Sequence, residues 1–123
     1  MPNEPGAYIL ALEIEKAFTL AIRTLPKPRL RAGYYLYCGS ANGPGGLRAR
    51  IGRHFRKRKS RHWHIDRLTE RATNRAALIL PRGDECALAH LIGGRANMQT
   101  PVPGFGATDC RQCESHLFFC GEL

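Results

Sequence analysis

Breaker residues constrain this chain more than any other feature. Thirteen glycines and eight prolines cut it into short apolar segments, each long enough for one strand or a short helix. Pro5-Gly6 leads into Ala7-Tyr8-Ile9-Leu10-Ala11-Leu12, which reads as a strand. The aromatic run Gly33-Tyr34-Tyr35-Leu36-Tyr37-Cys38 reads as a second. The segment between them has two readings. Ile14, Ala17, Phe18, Ala21, Ile22 and Leu25 fit a helical face, whereas Phe18, Leu20 and Ile22 fit an alternating strand. Pro26 and Pro28 end either element.

Residues 39–46 form a glycine-rich loop leading into a helix from about Leu47. Leu47, Ile51 and Phe55 follow at helical spacing as an apolar seam, with Arg50 and His54 along its edge. The basic run Arg56 to Lys59 is expected to close this helix. Ser60 can cap a second helix through Trp63, Ile65 and Leu68. Residues 76–80 read as a buried strand, and Pro81-Arg82-Gly83 as a turn. Asp84 can cap a third helix that Gly93-Gly94 closes. Residues 101–106 read as loop, and Leu117-Phe118-Phe119 as a last strand. The order implies a single α+β domain over residues 1–123, with one small sheet.

Charge narrows the function classes. Nineteen Lys and Arg face ten Asp and Glu, for a net charge of +9. The excess gathers at Arg48, Arg50, Arg53, Arg56, Lys57, Arg58, Lys59, Arg61, Arg67, Arg71 and Arg75, opposed only by Asp66 and Glu70. So one-sided a surface suits a polyanion, and nucleic acid above all. No apolar run approaches the ~20 residues of a membrane helix, and no signal peptide is evident. The expected compartment is the cytoplasm and the default assembly a monomer.

Five cysteines in such a chain argue against a disulfide scaffold. Cys110 and Cys113 have the spacing of half a zinc site, which His116 and Cys120 could complete. Thiols packed as small apolar groups are the favoured alternative.

Tyr8, Tyr37, Arg50, His54 and Glu85 lie at the ends of these elements. Phosphodiester hydrolysis needs a base for water, a cation for the developing charge and usually a carboxylate-held metal. Each residue also has a plain structural use, and spacing alone does not decide. Gly6-Ala7-Tyr8 and Tyr37-Cys38-Gly39 resemble the two signature motifs of GIY-YIG nucleases. Residues 47–54 resemble that superfamily's helix. The chain looks closer still to one uncharacterised branch, the domain-of-unknown-function 123 family. The likeness lies in residues 33–41, His62-Trp63-His64-Ile65-Asp66, residues 104–110 and Ser115-His116-Leu117.

The resemblance implies a mostly antiparallel sheet flanked by helices. It implies a metal-dependent endonuclease, acting on DNA rather than RNA. Glu85 would hold one Mg²⁺ or Mn²⁺. Tyr8 would act as general base, Arg50 would clamp the phosphate, Tyr37 would position water or phosphate, and His54 would move a proton or touch phosphate. Arg48, Arg53, Arg56, Lys57, Arg58, Lys59, Arg61, His62 and His64 would contact the nucleic acid. The chain departs from the pattern at Ala7 and Cys38, and in the length of the segment between Tyr8 and Tyr37. An extra strand there, simply connected, would make the Tyr37 strand parallel to the first. Two other functions fit the composition: a non-catalytic nucleic-acid-binding module, and a zinc-stabilised interaction domain.

Overall fold

The computed structural model describes residues 4–22, 28–56, 63–95, 98–103, 105 and 115–122. In chain order the elements are β1 (Gly6–Ile14), β2 (Phe18–Thr19), β3 (Arg29–Leu30), β4 (Gly33–Ser40), α1 (Gly46–Phe55), α2 (Asp66–Thr69), β5 (Asn74–Pro81), α3 (Glu85–Gly93) and β6 (Leu117–Gly121). Four strands form one sheet in the order β5-β1-β4-β6, and every neighbouring pair is antiparallel. Helices accompany this sheet, so the architecture is α+β as the sequence implies.

Strand alternation splits the interior in two. Tyr8, Leu10, Leu12 and Ile14 of β1 join Tyr35 and Tyr37 of β4, Leu117 and Phe119 of β6, and Leu47 and Ile51 of α1 in the main core. Cys38 and Phe118 point the other way, onto Ala89 and Ile92 of α3, with Ile9 and Leu36 packed alongside.

The segment between β1 and β4 keeps the strand alternation. Phe18, Leu20 and Ile22 are buried while Thr19 and Ala21 are exposed. Its β2 strand pairs with β3 in a separate two-stranded sheet. The extra strand therefore never enters between β1 and β4. Those two lie side by side and antiparallel, with Tyr8 opposite Gly39 and Leu10 opposite Tyr37.

Three expectations need correction. Leu47 and Ile51 are buried, but Phe55 is 44% exposed and His54 takes the third buried place on α1. Residues 76–80 do form a strand, but it is an edge strand. Ala76, Ala77 and Leu78 are exposed, and among the described residues β1 alone pairs with it. The second helix is a single turn that starts after Trp63, and Ser60 lies outside the described residues. Residues 101–103 and 105 are loop as expected, with Val102 and Phe105 buried in the main core at 2% and 0% exposure. The third helix follows the expected logic, its Asp84 side chain accepting the Cys86 backbone N–H at 3.1 Å. Among the described residues, no helix is long and apolar enough to cross a membrane.

Candidate active site

Tyr8 starts the site because β1 turns its side chain into the main core near the strand's beginning. Its ring lies across β4 at Gly39. A Cβ there would stand 2.4 Å from the Tyr8 ring and hydroxyl, so only glycine lets the tyrosine lie flat on the neighbouring strand. Tyr37, two residues earlier on β4, sits beside it with ring centroids 6.4 Å apart.

Helix α1 supplies the other half. Its buried face brings His54 to the Tyr8 hydroxyl, with Nε2 2.5 Å from the oxygen. With the ring proton on Nδ1, the hydroxyl donates to Nε2. The His54 ring also meets Tyr37 edge-on, centroids 6.4 Å apart. One turn earlier, Arg50 donates to the Ser40 carbonyl at 2.8 Å. That bond ties α1 to the end of β4 and holds the guanidinium close to Tyr8.

Trp63 organises the arginines. The guanidinium groups of Arg50 and Arg53 lie 4.0 and 4.3 Å from its ring centroid. Arg53 is also spent on Asp66, a fully buried carboxylate that it grips at 2.6 and 2.8 Å. Asp66 accepts the Trp63 backbone N–H as well. The Asp66 carboxylate is therefore a brace for Arg53 and Trp63. Arg50 lines an open groove of about 280 Å³ with Gly43, Pro44, Arg53 and Trp63.

Burial sets the electrostatics. Tyr8 and Tyr37 are 1% and 8% exposed. Desolvation of the phenolate raises the Tyr8 pKa well above its usual value; Arg50 opposes this by charge and hydrogen bonding, while Glu85 and Asp66 reinforce it. Tyr37 is raised in the same way by burial, with Tyr8 and Glu85 adding to the effect. Burial raises the Cys38 thiol to about 12, with Glu85 adding. Free phenolate is therefore disfavoured at both tyrosines.

Glu85 opens α3 at the same end of the sheet, half-buried. It acts on Tyr8, Tyr37 and Cys38 through its charge, but the structure places its nearest ionisable partner elsewhere. His116, just before β6, puts Nδ1 3.7 Å from a Glu85 carboxylate oxygen. His116 is 1% exposed, and among the described residues neither ring nitrogen has a hydrogen-bond partner. Burial lowers its pKa, Glu85 pulling the other way and His90 adding to the lowering.

Could Glu85 hold the divalent ion that the sequence implies? Among the described residues, no group of three or more His, Cys, Asp or Glu could hold an ion. An ion on Glu85 would take most of its remaining ligands from water and phosphate. Mg²⁺ in phosphoryl-transfer sites is commonly held that way, so the donor set fits. Of the zinc set, His116 and Cys120 lie within the described residues, Cys120 outside any disulfide. Cys110 and Cys113 lie outside them.

The structure thus gathers Tyr8, Tyr37, Arg50 and His54 in one cluster and sets Glu85 across the sheet end, within reach of their charge. Of the proposed nucleic-acid contacts, Arg48 and Arg56 are exposed, and Arg53 is occupied as described. His64 packs edge-on against Phe105, centroids 5.4 Å apart, and burial and Arg67 lower its pKa. Lys57, Arg58, Lys59, Arg61 and His62 lie outside the described residues. Sequence reasoning missed Gly39 as the bed of Tyr8 and Trp63 as the arginine platform. The signal for the second was two arginines three apart on one helix, followed by a lone tryptophan.

Fold and site together define a small α+β domain built around a buried tyrosine–histidine pair backed by arginine. The chain belongs to the family described as Domain of unknown function DUF123, whose model matches residues 7–123. No curated protein and no solved structure matches the chain.

Proposed function

We propose that this protein is a metal-dependent endonuclease of the GIY-YIG kind, hydrolysing phosphodiester bonds of nucleic acid, DNA in preference to RNA. The observation that carries the reading is the Tyr8 hydroxyl held 2.5 Å from His54 Nε2 beside Arg50. Burial disfavours a standing phenolate at Tyr8, so Tyr8 is a relay. Water gives a proton to the Tyr8 oxygen as the Tyr8 proton passes to His54 Nε2; the water oxygen bonds to phosphorus as the P–O bond to the leaving oxygen breaks, and the leaving oxygen takes a proton from solvent water. His54 ends protonated, and Tyr8 is neutral before and after.

Arg50 binds the phosphate from the groove and meets the charge that grows on its oxygens. Tyr37 positions the phosphate or the water. A divalent ion on Glu85 would supply Lewis-acid stabilisation of the leaving oxygen. Trp63 and Phe105 lie beside the His54 and Tyr37 rings, centroids 6.3 and 6.1 Å away, so access to Tyr8 requires these covers to shift. The Glu85 carboxylate at the same end of the sheet, close enough for its charge to act on both tyrosines, favours this reading over a module that only binds nucleic acid, for which an anion near the phosphate is a cost.

The reading is tested by incubating branched, flapped and plain duplex DNA with the protein in Mg²⁺ or Mn²⁺. Cleavage is expected to depend on the ion and to fall by roughly 10²-fold or more in Tyr8→Phe and in Glu85→Ala. Cleavage indifferent to both changes, or tight binding with no cleavage under any ion, would overturn it. Branched substrates are expected to be cut faster, because so small a domain has few groups with which to read bases. Equal rates across the panel would remove that preference.

A further inference from the structure

A half-buried carboxylate and a fully buried imidazole face one another at the start of α3, and the proton relay uses neither. The His116 backbone is fixed at both ends of the residue: its N–H donates to the Phe105 carbonyl at 2.9 Å, and its carbonyl accepts the Cys38 N–H at 2.9 Å. The ring therefore has a set position. It is 1% exposed, and among the described residues neither nitrogen has a hydrogen-bond partner. A buried polar group without a partner is costly, and native structures rarely keep one without a use.

The distance is informative. Nδ1 stands 3.7 Å from a Glu85 oxygen, too far for a hydrogen bond. Donor atoms at ~2.1 Å from one ion lie roughly 3.0 Å apart in an octahedral and ~3.4 Å apart in a tetrahedral arrangement, so Nδ1 and the Glu85 oxygen need to approach by only about 0.3 to 0.7 Å to share one ion.

We infer that His116 is the second protein ligand of the divalent ion on Glu85, binding through Nδ1. The inference rests on the reading of Glu85 as the metal ligand. It also sets ion preference. Mg²⁺ dehydrates reluctantly and keeps oxygen donors, whereas Mn²⁺, although it too suits oxygen, accepts an imidazole beside oxygen donors more readily than Mg²⁺ does. A mixed carboxylate–imidazole site therefore takes Mn²⁺ in preference to Mg²⁺. The carboxylate alone would discriminate less.

The test is Mn²⁺ binding to the purified chain without nucleic acid. Free Mn²⁺ is counted by electron paramagnetic resonance, and coordinated nitrogen is read from the pulsed spectrum of the bound ion. The wild-type spectrum is expected to show one directly coordinated ¹⁴N. His116→Gln should remove it and weaken Mn²⁺ binding by about tenfold or more, with a much smaller change for Mg²⁺. His90→Ala should leave the nitrogen signal intact. Wild-type Mn²⁺ bound with no coordinated ¹⁴N overturns the inference, and does so without any variant having to fold. Glu85→Gln separates the two readings. If it abolishes binding while His116→Gln does not, only the His116 ligand fails. If neither change alters binding, the metal lies elsewhere and both assignments fall.

Discussion

The two faces of the sheet are built on different terms. Toward α1 lies the deep core, in which Tyr8, Leu10 and Leu47 are at most 1% exposed and the Tyr8 hydroxyl has a protein partner. Toward α3 the cluster is small, Leu91 of the helix is 64% exposed, and the buried imidazole of His116 has no hydrogen-bond partner among the described residues. Proton transfer needs groups held within hydrogen-bond distance, and the deep face provides that rigidity. Cation binding needs access and donors left open for water and phosphate. The thinner face provides those at the half-buried Glu85. On the proposed reading, one four-stranded sheet keeps its base and its ion on opposite faces, and the two meet at the strand ends.

Substituting one glycine on each side breaks the comparison most sharply. Gly39→Ala would drive its Cβ into the Tyr8 ring and hydroxyl. Tyr8 would leave His54, and the cleavage rate should fall by about 10²-fold or more, in line with loss of a general base. Gly93→Ala meets only the edge of the Phe118 ring at 3.1 Å. Gains in helix propensity of up to ~1 kcal/mol offset that contact, so its stability and rate should stay near wild type. Equal damage from both would mean that Tyr8 has no special dependence on Gly39.

Core truncation comes next. Leu10→Ala empties a site with 0% exposure and should cost about 3–4 kcal/mol in denaturant unfolding. Leu88→Ala, half-buried against the α3 cluster, should cost less than about 1.5 kcal/mol. A reversed order would show that the α3 face carries the stability.

A smaller effect appears in alkali. Tyr8 and Tyr37 have raised pKa values in the folded chain, and Tyr35 is raised to about 12. The unfolded chain then releases phenolic protons first as pH rises above ~10. These groups contribute full stability below that pH and lose it on the way up to their folded values. The melting temperature should fall with pH above about 10, and less so in Tyr37→Phe. An unchanged slope in that variant would remove Tyr37 from the account.

The smallest effect concerns Arg48, which is exposed on α1. Arg48→Ala should weaken DNA binding uniformly across sequences and reduce the salt slope by about one. No change in the slope would place the DNA away from this part of α1.

Local patterns in the sequence were enough for most of the fold. The alternation of β1 and β4 and the Asp84 cap are set by neighbours in the chain and appear where expected. The exposure of β5 was not legible, because an edge strand and a central strand can share the apolar run of residues 76–80. Nor was the burial of His54 in place of Phe55. The Tyr8 hydroxyl, which comes from a distant strand, makes a polar residue acceptable inside and leaves Phe55 to solvent. At the site, Tyr8, Tyr37, Arg50 and His54 could be picked out as a set, but their convergence depended on the β2–β3 pair leaving the main sheet. Asp66 as the brace of Arg53, and His116 facing Glu85, are contacts 13 and 31 residues apart in sequence that no local pattern announces.

The most direct test is single-turnover cleavage of a labelled branched DNA with Mn²⁺, comparing wild type with Tyr8→Phe, with DNA affinity and folding measured on the same samples. The account predicts unchanged affinity and fold, with a cleavage rate at least about 10²-fold lower in Tyr8→Phe. A wild-type protein that binds the DNA and never cuts it, or a Tyr8→Phe variant that cuts at the wild-type rate, would contradict the account.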